Sequence, residues 1–389
     1  MPRIRVLVVD DAVVVRKIVT DALSTDPLID VVGTAPNGRL ALAKIPQLNP
    51  DLVTLDIEMP VMNGLEALRE IRRTYPRLPV IMFSTLTERG AAATLDALAL
   101  GASDYVTKPS NVGSVVIAQQ RVRDELIPKI RSLCWRVTGV VASGVATPAV
   151  VGGATTAPAK PAPGGDMPRA PRLTDALRSR VDIIAIGVST GGPNALARII
   201  PDLPKDLPVP VVIVQHMPAL FTKLLAERLD AESAVTVREG SGGTTIMPGH
   251  VYIAPGNYHM FLRNDDGAIR LATNQAPPEN SCRPAVDVLF KSVGELFGGR
   301  ALAVVLTGMG QDGLRGCEFV AAAGGQVVAQ DQASSVVWGM PGFVANAGLA
   351  DRLLPLDQVA GEIVRRVRLR RPSSGARVAT SAYPALIAS

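Results

Sequence analysis

From Ile4 to about Leu133 the chain alternates short apolar runs with longer stretches of mixed polarity. The runs are Ile4 to Val9, Val31 to Val32, Leu52 to Leu55, Val80 to Phe83 and Tyr105 to Val106. The longer ones lack a polar face, which predicts strands covered by helices on both sides, and strand alternating with helix predicts a parallel, doubly wound sheet. After Val137 large apolar residues thin out, as in Ala157-Pro158-Ala159-Lys160-Pro161-Ala162-Pro163-Gly164-Gly165. Such a segment cannot offset its own ordering entropy, so 138–172 reads as a linker. Alternation resumes at Val181 and runs to about Arg371, with Ile183 to Val188, Val209 to Gln215 and Ala301 to Leu306 as buried-strand runs. Val251 to Ile253, Met260 to Arg263 and Ala268 to Ala272 crowd together, and Asn264-Asp265-Asp266-Gly267 is a turn signal between the last two. That spacing predicts a β-hairpin beside a second parallel sheet. Gln358 to Arg371 reads as a last amphipathic helix, and 372–389 as a disordered tail. The expected organisation is therefore two α/β domains, 1–133 and 181–371, each a doubly wound parallel sheet.

Composition sharpens this only in places. A length of 389 residues, 47% hydrophobic and 19% charged, suits two globular domains rather than one. The formal charge of +5 would suggest an anionic partner, but residues 181–360 hold 12 Lys/Arg against 17 Asp/Glu, so the basic excess lies mostly in the linker and the tail. A nucleic-acid footprint on the second domain is thereby disfavoured, and with it a regulator whose output is DNA binding. Cys134, Cys282 and Cys317 are odd in number and lack a C-x-x-C pair, which signals neither a disulfide framework nor a zinc site and fits a reducing compartment. No signal-peptide pattern or membrane-length apolar span is visible, so the expectation is a cytoplasmic protein without membrane insertion.

The chemistry gathers at strand ends. Asp10 and Asp11 end the first strand, Asp56 the third, Ser84 follows the fourth and Lys108-Pro109 the fifth. In a parallel sheet these converge on one edge, where three carboxylates call for a hard cation such as Mg²⁺. Ser84 and Lys108 would offer a hydroxyl and an ammonium to a phosphoryl group on Asp56. Any single Asp here also reads as a helix cap. The motifs Val6-Leu7-Val8-Val9-Asp10-Asp11, Leu55-Asp56-Ile57-Glu58-Met59-Pro60 with Asn63-Gly64, and Lys108-Pro109 closely resemble the receiver domain of two-component response regulators. The resemblance implies Mg²⁺ held by Asp10, Asp11 and Asp56, phosphorylation of Asp56 by a histidine kinase, and switching through Ser84 with Tyr105.

In the second domain Gly187-Val188-Ser189-Thr190-Gly191 fits the G-x-S-x-G nucleophile elbow, in letter and in strand-to-helix context. His216 ends another long apolar run, and Asp312 lies in the Gly-rich turn after Ala301 to Leu306. Ser189, His216 and Asp312 thus form a candidate triad for acyl-transfer hydrolysis, since a triad is defined by geometry and roles. Each alone also reads as a cap or a packed strand end, and the order Ser, acid, His could be met by Asp230 with His250 or His259. Those two histidines flank the hairpin region, as surface or substrate-rim residues.

Gly187-Val188-Ser189-Thr190-Gly191-Gly192-Pro193, Gln215-His216-Met217-Pro218, Tyr252-Ile253-Ala254-Pro255-Gly256 and Thr307-Gly308-Met309-Gly310-Gln311-Asp312-Gly313 resemble the catalytic domain of chemotaxis protein-glutamate methylesterases (CheB). The resemblance implies demethylation of glutamate methyl esters on methyl-accepting chemotaxis receptors, with glutamine deamidation at the same site and the receiver covering the cleft until Asp56 is phosphorylated. It also implies an oxyanion hole from the amides of Thr190 and Met309. No metal cofactor is expected at the esterase site, and Arg283 is a candidate substrate-binding cation at the rim. The competing reading is a second domain that only binds a partner.

Overall fold

In the computed structural model, residues 2–108, 115–138 and 180–369 are described. Most of the expected linker and all of the expected tail, 372–389, lie outside them. The first sheet takes β1 (Ile4–Val9), β2 (Ile29–Ala35), β3 (Leu52–Asp56), β4 (Val80–Ser84) and β5 (Asp104–Thr107). Between them run α1 (Val13–Leu23), α2 (Gly38–Leu48), α3 (Gly64–Thr74) and α4 (Glu88–Ala99), followed by α5 (Val115–Leu133) and α6 (Trp135–Thr138). The strand order is β2-β1-β3-β4-β5, all parallel. Order reverses at β1, so the carboxyl ends of β1 and β3 open onto a crevice. Helix α6 ends at Thr138, so the first residue assigned to the linker is helical.

The second domain carries seven parallel strands in the order β14-β13-β12-β6-β7-β9-β8. The central ones are β6 (Ile183–Val188), β7 (Val211–Gln215) and β12 (Ala301–Val305), buried along their whole length. Helices α7 (Gly192–Ile199) and α8 (Ala219–Glu232) follow β6 and β7. The flanking strands are β8 (Thr236–Glu239), β9 (His250–Ile253), β13 (Gln326–Gln330) and β14 (Arg352–Leu354), while β10 (His259–Asp265) and β11 (Ala268–Asn274) pair antiparallel as a separate hairpin. The remaining helices are α9 (Val286–Phe297), α10 (Leu314–Ala322), α11 (Met340–Asn346) and α12 (Leu356–Arg368). Sequence reading missed β8, β13 and β14. Two of them form the sheet's edges, and β8 and β14 have three or four residues with exposed positions, so their apolar signal is weak.

The two domains pack on each other through apolar side chains. Helix α4 lies against α7 and α8, and Ala91, Leu95 and Leu98 share a buried cluster with Leu196, Ile199, Phe221 and Leu225. Tyr105 of β5 stacks on Phe221 of α8 with centroids 4.8 Å apart and planes 11° from parallel. Such a stack contributes about 0.5–1.5 kcal/mol beyond the area it buries. At the rim Arg228 meets Asp96 at 3.1 Å, an exposed pair that adds little.

Candidate functional site

The register of the second sheet assembles its site. Gly187 lies opposite Val305 across β6 and β12, and Val188 opposite Gln215 across β6 and β7, so three strands end level with one another. Ser189 leaves β6, His216 leaves β7 and Asp312 follows β12 through the turn 306–311. All three therefore emerge at one edge, at the point where strand order reverses. The elbow behind Ser189 needs Gly191, whose φ of +77° is left-handed and whose Cβ would come within 2.7 Å of Val336. Gln215 Nε2 donates to the Ser189 carbonyl at 3.0 Å and ties the elbow to β7.

His216 Nε2 donates to Asp312 Oδ2 at 2.8 Å. Asp312 is 2% exposed and accepts further bonds from the amides of Val286, Asp287 and Gly313 and from Asn280 Nδ2. Burial alone would raise its pKa, but His216 and these donors hold it below the ordinary carboxylate value. Burial, the largest single influence, opposes a charged His216, but the bond to Asp312 and the neighbouring Cys282 together outweigh it and lift the imidazole above the usual histidine value. Because Asp312 occupies Nε2, the nitrogen left for a reaction is Nδ1. Nδ1 faces Cys282 Sγ at 3.5 Å, and among the described residues no hydrogen bond joins Ser189 Oγ to His216. The turn 307–310 closes against Ser189: a Cβ on Gly308 would come within 2.9 Å of Ser189 Cβ. That brings Met309 and Thr190 to the serine's side of the site.

Sequence reading singled out the segment 280–284 for Arg283 alone, yet its neighbours reach the core of the site. Glu279 and Cys282 exchange backbone bonds of 3.1 and 2.8 Å around Asn280 (φ +51°) and Ser281 (φ +62°), a tight turn with two left-handed residues. It aims Asn280 Nδ2 at both Asp312 Oδ1 (2.9 Å) and Asp287 Oδ2 (2.8 Å), and sets Cys282 on His216. Asp287 is buried, and burial with the neighbouring Asp312 pushes its pKa up to about 6. It was missed because one acid in a helix's first turn reads as ordinary capping. The Arg283 guanidinium donates to Asn257 Oδ1 and to the carbonyls of Gln275 and Ala276, so its donors are engaged within the loop. His259 is 1% exposed, with Nε2 on the Pro277 carbonyl, and is not the surface residue its position suggested. Asp230 caps the Val237 amide at 2.8 Å.

In the first domain Lys108 Nζ lies 2.8 Å from both Asp10 Oδ2 and Asp56 Oδ1. Burial works against the ammonium, but the two carboxylates outweigh it and raise its pKa. Asp10, Asp11 and Asp56 each bring an oxygen within 4.8 Å of the others, and Asp56 Oδ2 is buried without a hydrogen-bond partner. An all-oxygen set with an orphaned carboxylate oxygen fits a hard divalent cation. Ser84 Oγ donates to the Gly90 carbonyl and accepts from Thr94 Oγ1, and Tyr105 faces away toward Phe221. Burial raises the Asp56 pKa from 3.8 to about 6, against the pull of Lys108. The folded chain then binds this proton more tightly than the unfolded one, so Asp56 stabilises the fold at low pH and that contribution is lost as pH rises from about 4 through 6. Denaturant titrations at pH 5 and 7.5 should show the loss, and Asp56→Asn or added Mg²⁺ should shrink it. An identical pH slope in Asp56→Asn would remove Asp56 as the cause.

Two contacts join the first domain to the surroundings of Ser189. Thr190 Oγ1, next to Ser189, donates to Asp104 Oδ2 at 2.9 Å, and Asp104 also pairs with Lys129 Nζ at 2.9 Å. Ser132 and Trp135 of the first domain line a cavity of about 60 Å³ with Met309, Gly310, Gln332 and Trp338 of the second. The first domain's β5 and its last two helices therefore abut the elbow and the 307–310 turn.

No helix among the described residues is long and apolar enough to cross a membrane. Residues 184–363 match the family described as CheB methylesterase, and residues 6–119 match the response regulator receiver domain. A protein-glutamate methylesterase/protein-glutamine glutaminase of Trichodesmium erythraeum is 53% identical over 367 residues, 94% of this chain and 100% of that one. One of the same description from Nocardioides sp. is 54% identical over 379 residues, 96% of this chain and 98% of that one. The Thermotoga maritima CheB methylesterase catalytic domain is 43% identical with a TM-score of 0.47, covering 48% of this chain and 99% of that one. Full-length identity of this order, with both domain matches in the same sequence, shows that the chain belongs to the CheB family of protein-glutamate methylesterases/protein-glutamine glutaminases.

Proposed function

We propose that the chain is a phosphorylation-activated serine hydrolase that removes methyl groups from glutamate methyl esters on chemoreceptors and deamidates receptor glutamines. The observation that carries this reading is the His216–Asp312 pair at the ends of two strands that flank the one ending in Ser189. Ser189 Oγ attacks the side-chain γ-carbonyl and its proton passes to His216 Nδ1. Asp312 holds Nε2–H and favours the imidazolium that results. The amides of Thr190 and Met309 donate to the oxyanion. Collapse expels methanol, or ammonia from glutamine, which takes the proton from His216. Water then attacks the acyl-enzyme with His216 again as base and releases glutamate. Arg283 anchors the rim and adds positive charge beside the cleft.

Phosphorylation comes from a chemotaxis histidine kinase and falls on Asp56. Mg²⁺ held by Asp10, Asp11 and Asp56 would offset phosphoryl charge there. Lys108 and Ser84 engage the phosphoryl oxygens, and Ser84 must leave Gly90 to do so. The displacement reaches Tyr105 and loosens its stack on Phe221, which frees the elbow from Asp104. Ammonia release from a glutamine-bearing receptor helix tests the shared site: it should fall together with methanol release in the same variants, and separate losses would refute one site for both reactions.

Asn280 is a positioning residue in this scheme, because it bonds two adjacent carboxylates at once. Asn280→Ala should lower kcat about tenfold to a hundredfold, as expected for about 1–3 kcal/mol from a lost buried donor, with KM little changed. A change confined to KM would instead place Asn280 in substrate binding.

A further inference from the structure

Cys282 plays no part in the esterase chemistry, yet its sulfur sits against the imidazole that does. Of the three cysteines it alone is partly exposed, since Cys134 and Cys317 are buried in the cores. The Sγ to Nδ1 separation is 3.5 Å. A tetrahedral zinc ion, with bonds of about 2.3 Å to sulfur and about 2.0 Å to nitrogen, holds those two ligands about 3.5 Å apart. The second nitrogen of the ring is already held as metal-binding histidines usually are: Nε2–H donates to the Asp312 carboxylate, which fixes the tautomer and leaves Nδ1 for a metal. Asp312 lies within 4.8 Å of both, but its two oxygens already accept from His216 Nε2, from three backbone amides and from Asn280, so it supports His216 rather than binding the ion. The turn that carries Cys282 is fixed by the Glu279–Cys282 backbone bonds and by Asn280, so the sulfur is already in position.

We propose that Cys282 Sγ and His216 Nδ1 form a site for a thiophilic divalent cation, Zn²⁺ being the best fit, and that its occupancy switches the esterase off. The inhibition rests on the assignment of His216 as the base for Ser189; the binding does not. As the ion binds, the thiol proton leaves to solvent, together with one from Nδ1 when the imidazole is charged, and one S–Zn and one N–Zn bond form. Solvent oxygens complete the tetrahedron. With Nδ1 coordinated, no lone pair remains to take the Ser189 proton. Two protein ligands make a reversible site rather than a permanent structural one, and binding weakens as pH falls because protons compete for both ligands. The acidic cluster of the receiver, all oxygen, prefers a hard ion and does not share this selectivity.

The test uses the full chain in saturating Mg²⁺, which occupies the receiver's carboxylates, titrated with Zn²⁺ against a chromophoric chelator. One Zn²⁺ equivalent should bind to the parent chain and be lost in Cys282→Ser. The methanol-release rate of the parent should fall about tenfold when free Zn²⁺ is ten times its dissociation constant, and recover with chelator. In Cys282→Ser the ratio of rates with and without Zn²⁺ should be near one, whatever that variant's own rate. Equal binding by the parent and Cys282→Ser, no binding by the parent, or a parent rate indifferent to bound Zn²⁺ would each overturn the proposal. The chelator titration needs no substrate, so a chain that bound Zn²⁺ through Cys282 but released no methanol would fault the esterase assignment and leave the cation site standing.

Discussion

Replacing Ser189 with alanine is expected to cut methanol release from methylated receptor by a factor of about 10⁴ to 10⁶, the range found when a triad serine is removed. The change deletes one oxygen at the mouth of the elbow and leaves Gly191, Gln215 and the central strands untouched, so folding should persist. What it removes is the proposed nucleophile. His216→Ala should cost a comparable factor, and the double variant little more than either alone, because the two side chains act as a unit. Residual turnover would come from the oxyanion donors and from substrate binding. A Ser189→Ala chain that kept a rate within tenfold of the parent would exclude the serine mechanism, and an unchanged thermal midpoint would show that the loss is chemical.

Removing residues 1–137 should raise the basal esterase rate about tenfold or more and abolish the response to a phosphodonor. The receiver covers the elbow through α4 on α7 and α8, through Tyr105 on Phe221, and through the buried Thr190–Asp104 bond. A hydrogen bond to a charged acceptor contributes about 1.5–3 kcal/mol, and an interface that favours the closed form by about 2 kcal/mol leaves only about 3% of molecules open. Opening them all then gives roughly thirtyfold. Thr190→Val in the full chain tests the same bond by a smaller change: the side-chain volume is nearly kept, Asp104 retains Lys129, and the basal rate should rise severalfold. Equal rates for the full and truncated chains, with and without phosphodonor, would rule out inhibition by the receiver.

Much of the fold was legible because the chemistry sits where strands end. Buried parallel strands read as apolar runs, and each run was followed by a polar candidate site residue: Asp10, Asp56, Ser84, Lys108, Ser189 and His216. Asp312 was accessible through its Gly-rich turn, where glycine marks backbone that other residues cannot follow. The edge strands β8 and β14 escaped because partial exposure blurs the pattern that marks a strand. Asn280, Cys282 and Asp287 were invisible as a set. Nothing in their spacing says that a turn with two left-handed residues sets Cys282 on the His216 imidazole at the end of β7 and joins Asn280 to both Asp312 and Asp287.

The sequence by itself determined the two α/β units, the strand ends that bear the chemistry and the family, because these follow from local periodicity and from motifs contiguous along the chain. Only the tertiary structure decided which nitrogen of His216 Asp312 takes, that Cys282 rests on the other, and that β5 of the receiver meets the elbow through Asp104 and Tyr105. Those contacts join residues from 66 to 116 positions apart, and their geometry depends on packing and register between elements rather than on any local preference.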